Sequence, residues 1–115
     1  MKDDKVFLKH ILDEIDFLLK ETADLKFEEF IENNLLKRAS ARSIEIIGEG
    51  VKNLSKDFRE KHKGIEWKKF AGIRDKVIHC YFGVNWDIVW AVIKTKLPEL
   101  RDKIENILEE TEEVR

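Results

Sequence analysis

The sequence predicts an all-α fold, a four- to five-helix up-and-down bundle, and three observations carry that prediction. Apolar residues recur at three- and four-residue steps along most of the chain, which is the period of a helix with one buried face. No segment shows sustained strand alternation. Proline occurs once and glycine five times in 115 residues, leaving few points at which helices must break. A chain of this length supports one core, so residues 1–115 are read as a single domain.

The first helix is predicted near residues 4–22, where Leu8, Ile11, Leu12, Ile15, Leu18 and Leu19 form the apolar stripe. A second pattern starts near Phe27 and runs to about Phe58, with a break or bend around Asn33 and Asn34. Leu36, Ser43, Ile47, Val51, Leu54 and Phe58 carry its stripe. Along the same element Ala39, Ser43, Ile46 and Gly50 make a narrow ridge suited to close helix approach, within the domain or between subunits. Gly48 and Gly50 each cost about 1 kcal/mol against alanine in a helix interior, which suggests tight packing or a bend there.

"REKHKG" reads as a polar connection in which Gly64 can supply a left-handed turn. The next helix starts near Glu66 and carries Trp67, Phe70, Ile73, Val77 and Cys80 on its apolar side. Gly83 is a candidate stop and Asn85 a candidate N-cap for a helix using Trp86, Val89, Trp90 and Ile93. Pro98 marks the first turn of a last helix with Leu100, Ile104, Ile107 and Leu108. The three tryptophans step with these apolar faces, so packing explains them better than base stacking.

Composition narrows the function. Hydrophobic residues make up 43% and charged residues 40%, a balance of a folded helical protein and not of a disordered one. No apolar run approaches the roughly 20 residues needed to cross a bilayer, and "MKDDKVFLKH" lacks a signal-peptide core, so a cytoplasmic location and no membrane are expected. Cys80 is the single cysteine, which excludes an internal disulfide and argues against a cysteine metal cage. Its simplest role is a buried structural thiol. The net charge of −2 hides an uneven distribution: residues 52–76 hold nine Lys/Arg against four acids, whereas residues 99–115 hold seven acids against three bases. The first is a local basic field, or simply a solvated face.

One stretch asks for more than packing. "RDKVIHCYF" places a cation, a carboxylate, an imidazole and a phenol at Arg74, Asp75, His79 and Tyr81. In a continuous helix Asp75 and His79 lie one turn apart on one face, so the carboxylate can orient the imidazole. Arg74 and His79 diverge by about 140° in such a helix. Two antiparallel copies about a two-fold axis remove that difficulty by bringing Arg74 of one chain to His79 of the other. Arginine is a bidentate phosphate clamp and histidine moves a proton near neutral pH, a pair suited to phosphoryl-transfer chemistry on RNA with no metal or cofactor. A half-buried, hydrogen-bonded histidine at a helix end explains the same residues without any chemistry.

"RDKVIHCYFGVNWDIVW" resembles the Arg-x4-His-x-Tyr signature of HepT-like proteins in the HEPN superfamily. "RSIEIIGEGVKNLS" and "LPELRDKIENIL" resemble other segments of that family in the same order, so the similarity covers nearly the whole chain. The resemblance implies a HEPN-like homodimer whose subunits line a shared cleft. It implies a metal-independent endoribonuclease toxin, with Arg74 and His79 catalytic and Asp75 in a supporting place. It also implies an antitoxin partner, an MNT-type nucleotidyltransferase, which modifies Tyr81 with AMP. Glu49 falls in a matched segment and takes at most a supporting role. His10 and His62 have no matched partner and are read as incidental. A different class remains open: a non-catalytic module that binds the nucleotidyltransferase or its substrate.

Overall fold

The structure, a computed structural model, describes residues 2–79 and 83–113, with the side chains of Lys2, Ile78, His79 and residues 111–113 outside that description. Helix α1 (Lys2–Thr22) buries Leu8, Ile11, Ile15 and Leu18 completely or nearly so, as their spacing predicts. Asp3 and Asp4 sit in its first turn and Lys20 in its last, the arrangement that suits the helix dipole. Its C-terminal end is held by Lys94, whose Nζ donates to the Thr22 carbonyl at 2.7 Å.

The predicted break at Asn33 is real. It separates α2 (Phe27–Glu32) from α3 (Asn34–Lys52), and the Asn33 side chain caps α3 by accepting from the Leu36 N–H at 2.9 Å. The long second element ends sooner than its apolar stripe suggests. Leu54 and Phe58 are buried, but a turn at 53–55 redirects the chain into α4 (Lys56–Lys61). Ser55 explains the break: its hydroxyl accepts from the Phe58 N–H at 3.1 Å, and its own N–H and hydroxyl donate to the buried Asp4 carboxylate at 2.7 and 2.8 Å. The start of α1 and the start of α4 thereby share one hydrogen-bonded carboxylate.

At Gly50 the small-residue ridge packs inside the chain. A Cβ on Gly50 would stand 2.7 Å from Ile11 Cγ1, so α3 lies against α1 at a distance only glycine allows. Gly64, in contrast, does not take the left-handed conformation predicted for it. The "REK" of "REKHKG" belongs to α4, and His62 to Gly64 form the turn.

Two short helices follow, α5 (Trp67–Ala71) and α6 (Ile73–Val77), both packed on α3. Helix α6 stops at Val77, before the predicted end. A small antiparallel hairpin takes over, with β1 (Ile78–His79) paired to β2 (Gly83–Val84) in the register Ile78 to Val84 and His79 to Gly83. Gly83 has φ +84°, a left-handed conformation that glycine adopts without strain. The Asn85 N–H donates to the Val77 carbonyl at 2.6 Å, satisfying the helix end that the hairpin replaces.

Asn85 caps α7 (Trp86–Ala91) by accepting from the Ile88 N–H at 3.2 Å, as predicted. No loop precedes the last helix. The chain continues through a π-helical segment (Val92–Lys96) into α8 (Leu97–Glu113). Pro98 has no N–H, and in a tight α-turn its ring would crowd the Lys94 carbonyl; the wider turn, with the Leu97 N–H on the Val92 carbonyl, accommodates it. Arg101 ties α8 to α1 through Asp16 at 2.5 Å.

Tryptophans pack as predicted. Phe30, fully buried, lies 5.0 Å from the Trp90 ring and 6.3 Å from Trp86, joining α2 to α7. Trp67 packs on Phe58 and donates from Nε1 to the His62 carbonyl at 3.0 Å. His62 itself lies 4.5 Å from the Phe58 ring, and its pKa is held below the ordinary value by burial and then by Lys61, against a smaller upward pull from Glu110. The unfolded chain therefore takes up this proton at higher pH than the folded one. The stability His62 contributes is complete above about pH 6.5 and is lost as pH falls through the folded value. Urea denaturation between pH 7.5 and 5 is expected to show a steeper loss for the wild type than for His62→Gln; parallel curves would contradict this.

Candidate active site

Arg74 sits on the outer side of α6, with its side chain 51% exposed. Its Nε donates to Glu45 Oε2 on α3 at 3.1 Å, and Nη1 stands 4.0 Å from Asp75 Oδ1. Glu45 is the more enclosed partner, 25% exposed against 83% for Asp75. A carboxylate on the Nε edge fixes the plane of the guanidinium and leaves Nη2 and much of the Nη1 side open to an incoming anion. This is what a phosphate clamp needs: a permanent charge, oriented from behind and reachable from in front.

Glu45 was not among the residues singled out in the sequence. It lies 29 positions before Arg74 on another helix, so no local period connects them. The nearest clue pointed one turn away, to Glu49, which the structure leaves exposed. Glu45 is the residue of that segment that takes the supporting role toward Arg74.

The helical geometry expected between Arg74, Asp75 and His79 does not hold, because the helix ends at Val77. Asp75 is on α6, whereas His79 is on β1, its backbone paired with Gly83. The two are therefore not one helical turn apart on one face. The His79 side chain is outside the described atoms, and Cys80 and Tyr81 lie outside the described residues. The hairpin places the backbone of His79 two residues beyond the helix that carries Arg74.

Part of the basic segment meets at one groove. Lys56, Arg59, Lys63 and Lys68 line an open groove of about 370 Å3 with only Glu60 and Glu66 as acids among its lining residues. Among the described residues no group of three or more His, Cys, Asp or Glu could hold a metal ion. No helix among them is long and apolar enough to cross a membrane.

Comparison with known proteins identifies the family. Residues 11–107 match the model of the HepT-like family, described as Ribonuclease HepT-like. A protein of Caldanaerobacter subterraneus subsp. tengcongensis, provisionally named an RNase, is 50% identical over 109 residues, covering 95% of this chain and 97% of the relative. One from Methanocaldococcus jannaschii, named in the same way, is 45% identical over 97% of both chains. The "Probable ribonuclease HepT" of Thermococcus cleftensis is 37% identical over 90% of this chain and 94% of its own. No solved structure matches at a significant level. A family match over most of the length, together with relatives that align nearly end to end, shows that the chain belongs to the HepT-like family of the HEPN superfamily.

Proposed function

We propose that this protein is a metal-independent endoribonuclease of a toxin-antitoxin pair, acting as a cytoplasmic homodimer. The observation that carries the reading is the exposed Arg74 guanidinium, oriented by Glu45 at 3.1 Å, on the helix that leads into the His79 hairpin. The family relationship and the ribonuclease names of the relatives support it.

In the proposed reaction the imidazole of His79 takes the proton of a ribose 2′-hydroxyl. The 2′-oxygen then attacks the adjacent phosphorus, the P–O5′ bond breaks, and the departing 5′-oxygen receives the proton from the His79 imidazolium, which returns to its neutral form. The products are a 2′,3′-cyclic phosphate and a 5′-hydroxyl end. Arg74 holds the non-bridging oxygens, where negative charge accumulates in the transition state. A two-fold pairing of chains brings Arg74 of one subunit toward His79 of the partner subunit across a common cleft.

The proposed antitoxin is an MNT-type nucleotidyltransferase. It transfers AMP from ATP to the Tyr81 phenol, with loss of pyrophosphate. The added phosphate, close in sequence to Arg74, competes for the clamp and repels RNA. A second reading is favoured by one observation: Arg74 already meets two carboxylates, Glu45 and Asp75, which lowers its attraction for phosphate. On that reading the chain is a non-catalytic partner of the nucleotidyltransferase, or binds its substrate.

Incubation of the purified chain with single-stranded RNA in EDTA separates the two. Cleavage leaving cyclic phosphate ends, and lost in His79→Ala, is the expected result. Absence of cleavage, together with tight association with a nucleotidyltransferase, establishes the second reading. Mass spectrometry after incubation with that enzyme and ATP is expected to place AMP on Tyr81; AMP elsewhere removes the proposed switch.

A further inference from the structure

A second groove runs between α5 and α6 on one side and α7 with the π-helical segment on the other, and encloses about 350 Å3. Phe70, Ile73, Ile88 and Val92 make its floor. Lys69, Lys76 and Lys96 stand around it, together with Glu66 and Asp87. Lys69 is paired with Glu66 at 2.8 Å, whereas Lys76 and Lys96 form no ion pair among the described residues. The groove thus combines an apolar floor with two lysines outside any ion pair at its lip, Lys96 being near enough to Glu66 to help Lys69 lower that carboxyl's pKa.

Its position relates it to Arg74. Ile73 and Lys76, three residues apart, share the face of α6 that borders the groove, while Arg74 leans toward Glu45 on α3. Groove and guanidinium therefore flank the same helix, whose width with side chains is about 10–12 Å. An extended RNA strand covers that separation within a few nucleotides.

The size of the groove limits its occupant. A volume near 350 Å3 falls at the small end of ligand pockets, where an apolar wall and a few charges suffice. A nucleotide satisfies both halves. Its base loses water against Phe70 and the aliphatic floor, and its phosphate meets the lysines.

We propose that this groove is a base subsite, holding one nucleobase of the RNA strand beside the cleaved phosphate, with Lys76 and Lys96 on the backbone phosphates. The assignment rests on RNA being the substrate, and its test does not depend on cleavage. The full chain, labelled at isoleucine and valine methyls, is titrated with 5′-AMP, 5′-UMP and ribose 5-phosphate. Both mononucleotides are expected to shift the Ile73, Ile88 and Val92 methyls saturably, at least tenfold more tightly than ribose 5-phosphate. Ala91→Phe puts a ring from an exposed position into the groove and is expected to abolish these shifts. The surface double variant Lys76→Glu/Lys96→Glu is expected to weaken binding about tenfold.

Shifts absent from these methyls, or equal for ribose 5-phosphate, overturn the subsite even if the enzyme cuts RNA. Light scattering that shows a wild-type dimer and an Ala91→Phe monomer overturns it as well, because the groove is then a subunit contact. Saturable nucleotide shifts in a protein that does not cleave RNA reject the ribonuclease reading and keep the groove as a nucleotide site.

Discussion

Arg74→Ala is expected to lower kcat/KM for RNA cleavage by about 10²–10³-fold, the usual cost of removing a charged donor from a transition-state oxyanion. The reason is geometric as well as electrostatic. The wild-type guanidinium is pinned through Nε by Glu45 at 3.1 Å, with Nη1 4.0 Å from Asp75, so its Nη2 edge is aimed before RNA arrives. Arg74→Lys is expected to recover only part of the loss, because an ammonium restores charge without the planar fork. Glu45→Gln keeps the volume and an acceptor but removes the carboxylate, and about a tenfold fall is expected. Cleavage measured under single-turnover conditions for the three variants decides the matter. Wild-type rates in Arg74→Ala would remove it from the site, and wild-type rates in Glu45→Gln would make the ion pair merely structural.

Phe30→Ala is expected to destabilise the fold by about 3–5 kcal/mol, the range for truncating a buried aromatic. Phe30 is fully buried, with the Trp90 ring at 5.0 Å and Trp86 at 6.3 Å. Removing its ring opens a cavity at the junction of α2 and α7, and the two large indoles cannot both collapse into it. Against a typical total stability of about 5–15 kcal/mol, such a loss is a large fraction. Leu35→Ala, five positions along and 81% exposed, is expected to change stability by less than about 0.5 kcal/mol. Urea midpoints of the two variants measure the contrast; similar shifts would mean that α2 does not pack as described.

Residues whose role is set by near neighbours were legible in the sequence. The α1 stripe of Leu8, Ile11, Ile15 and Leu18 is buried as its period requires, and Asn33 and Asn85 cap the helices they precede. Both kinds of signal depend on contacts within one or two turns. The missed break at 53–55 has a different origin: Ser55 is recruited by Asp4, 51 residues away, and no window on either segment reveals that bond. Pro98 stands in the first turn of the last helix, as its position predicts; what the sequence did not show is the π-helical turn of Val92–Lys96 that joins α7 to α8 without a loop.

The candidate site divides along the same line. Arg74, Asp75, His79 and Tyr81 stand out in the sequence because cation, carboxylate, imidazole and phenol are crowded into a segment that packing alone would leave apolar. Their mutual geometry was not legible, since it was calculated for a helix that ends at Val77. By itself, then, the sequence determined the helical class, the positions of the main apolar faces, the family and the candidate site residues. Only the tertiary structure decided that Glu45 orients Arg74, that a hairpin carries His79, and that a groove opens on the far side of α6. The physical reason is range. Periodicity and capping act over a few residues, whereas an ion pair between α3 and α6 exists only after the core has brought the two helices together.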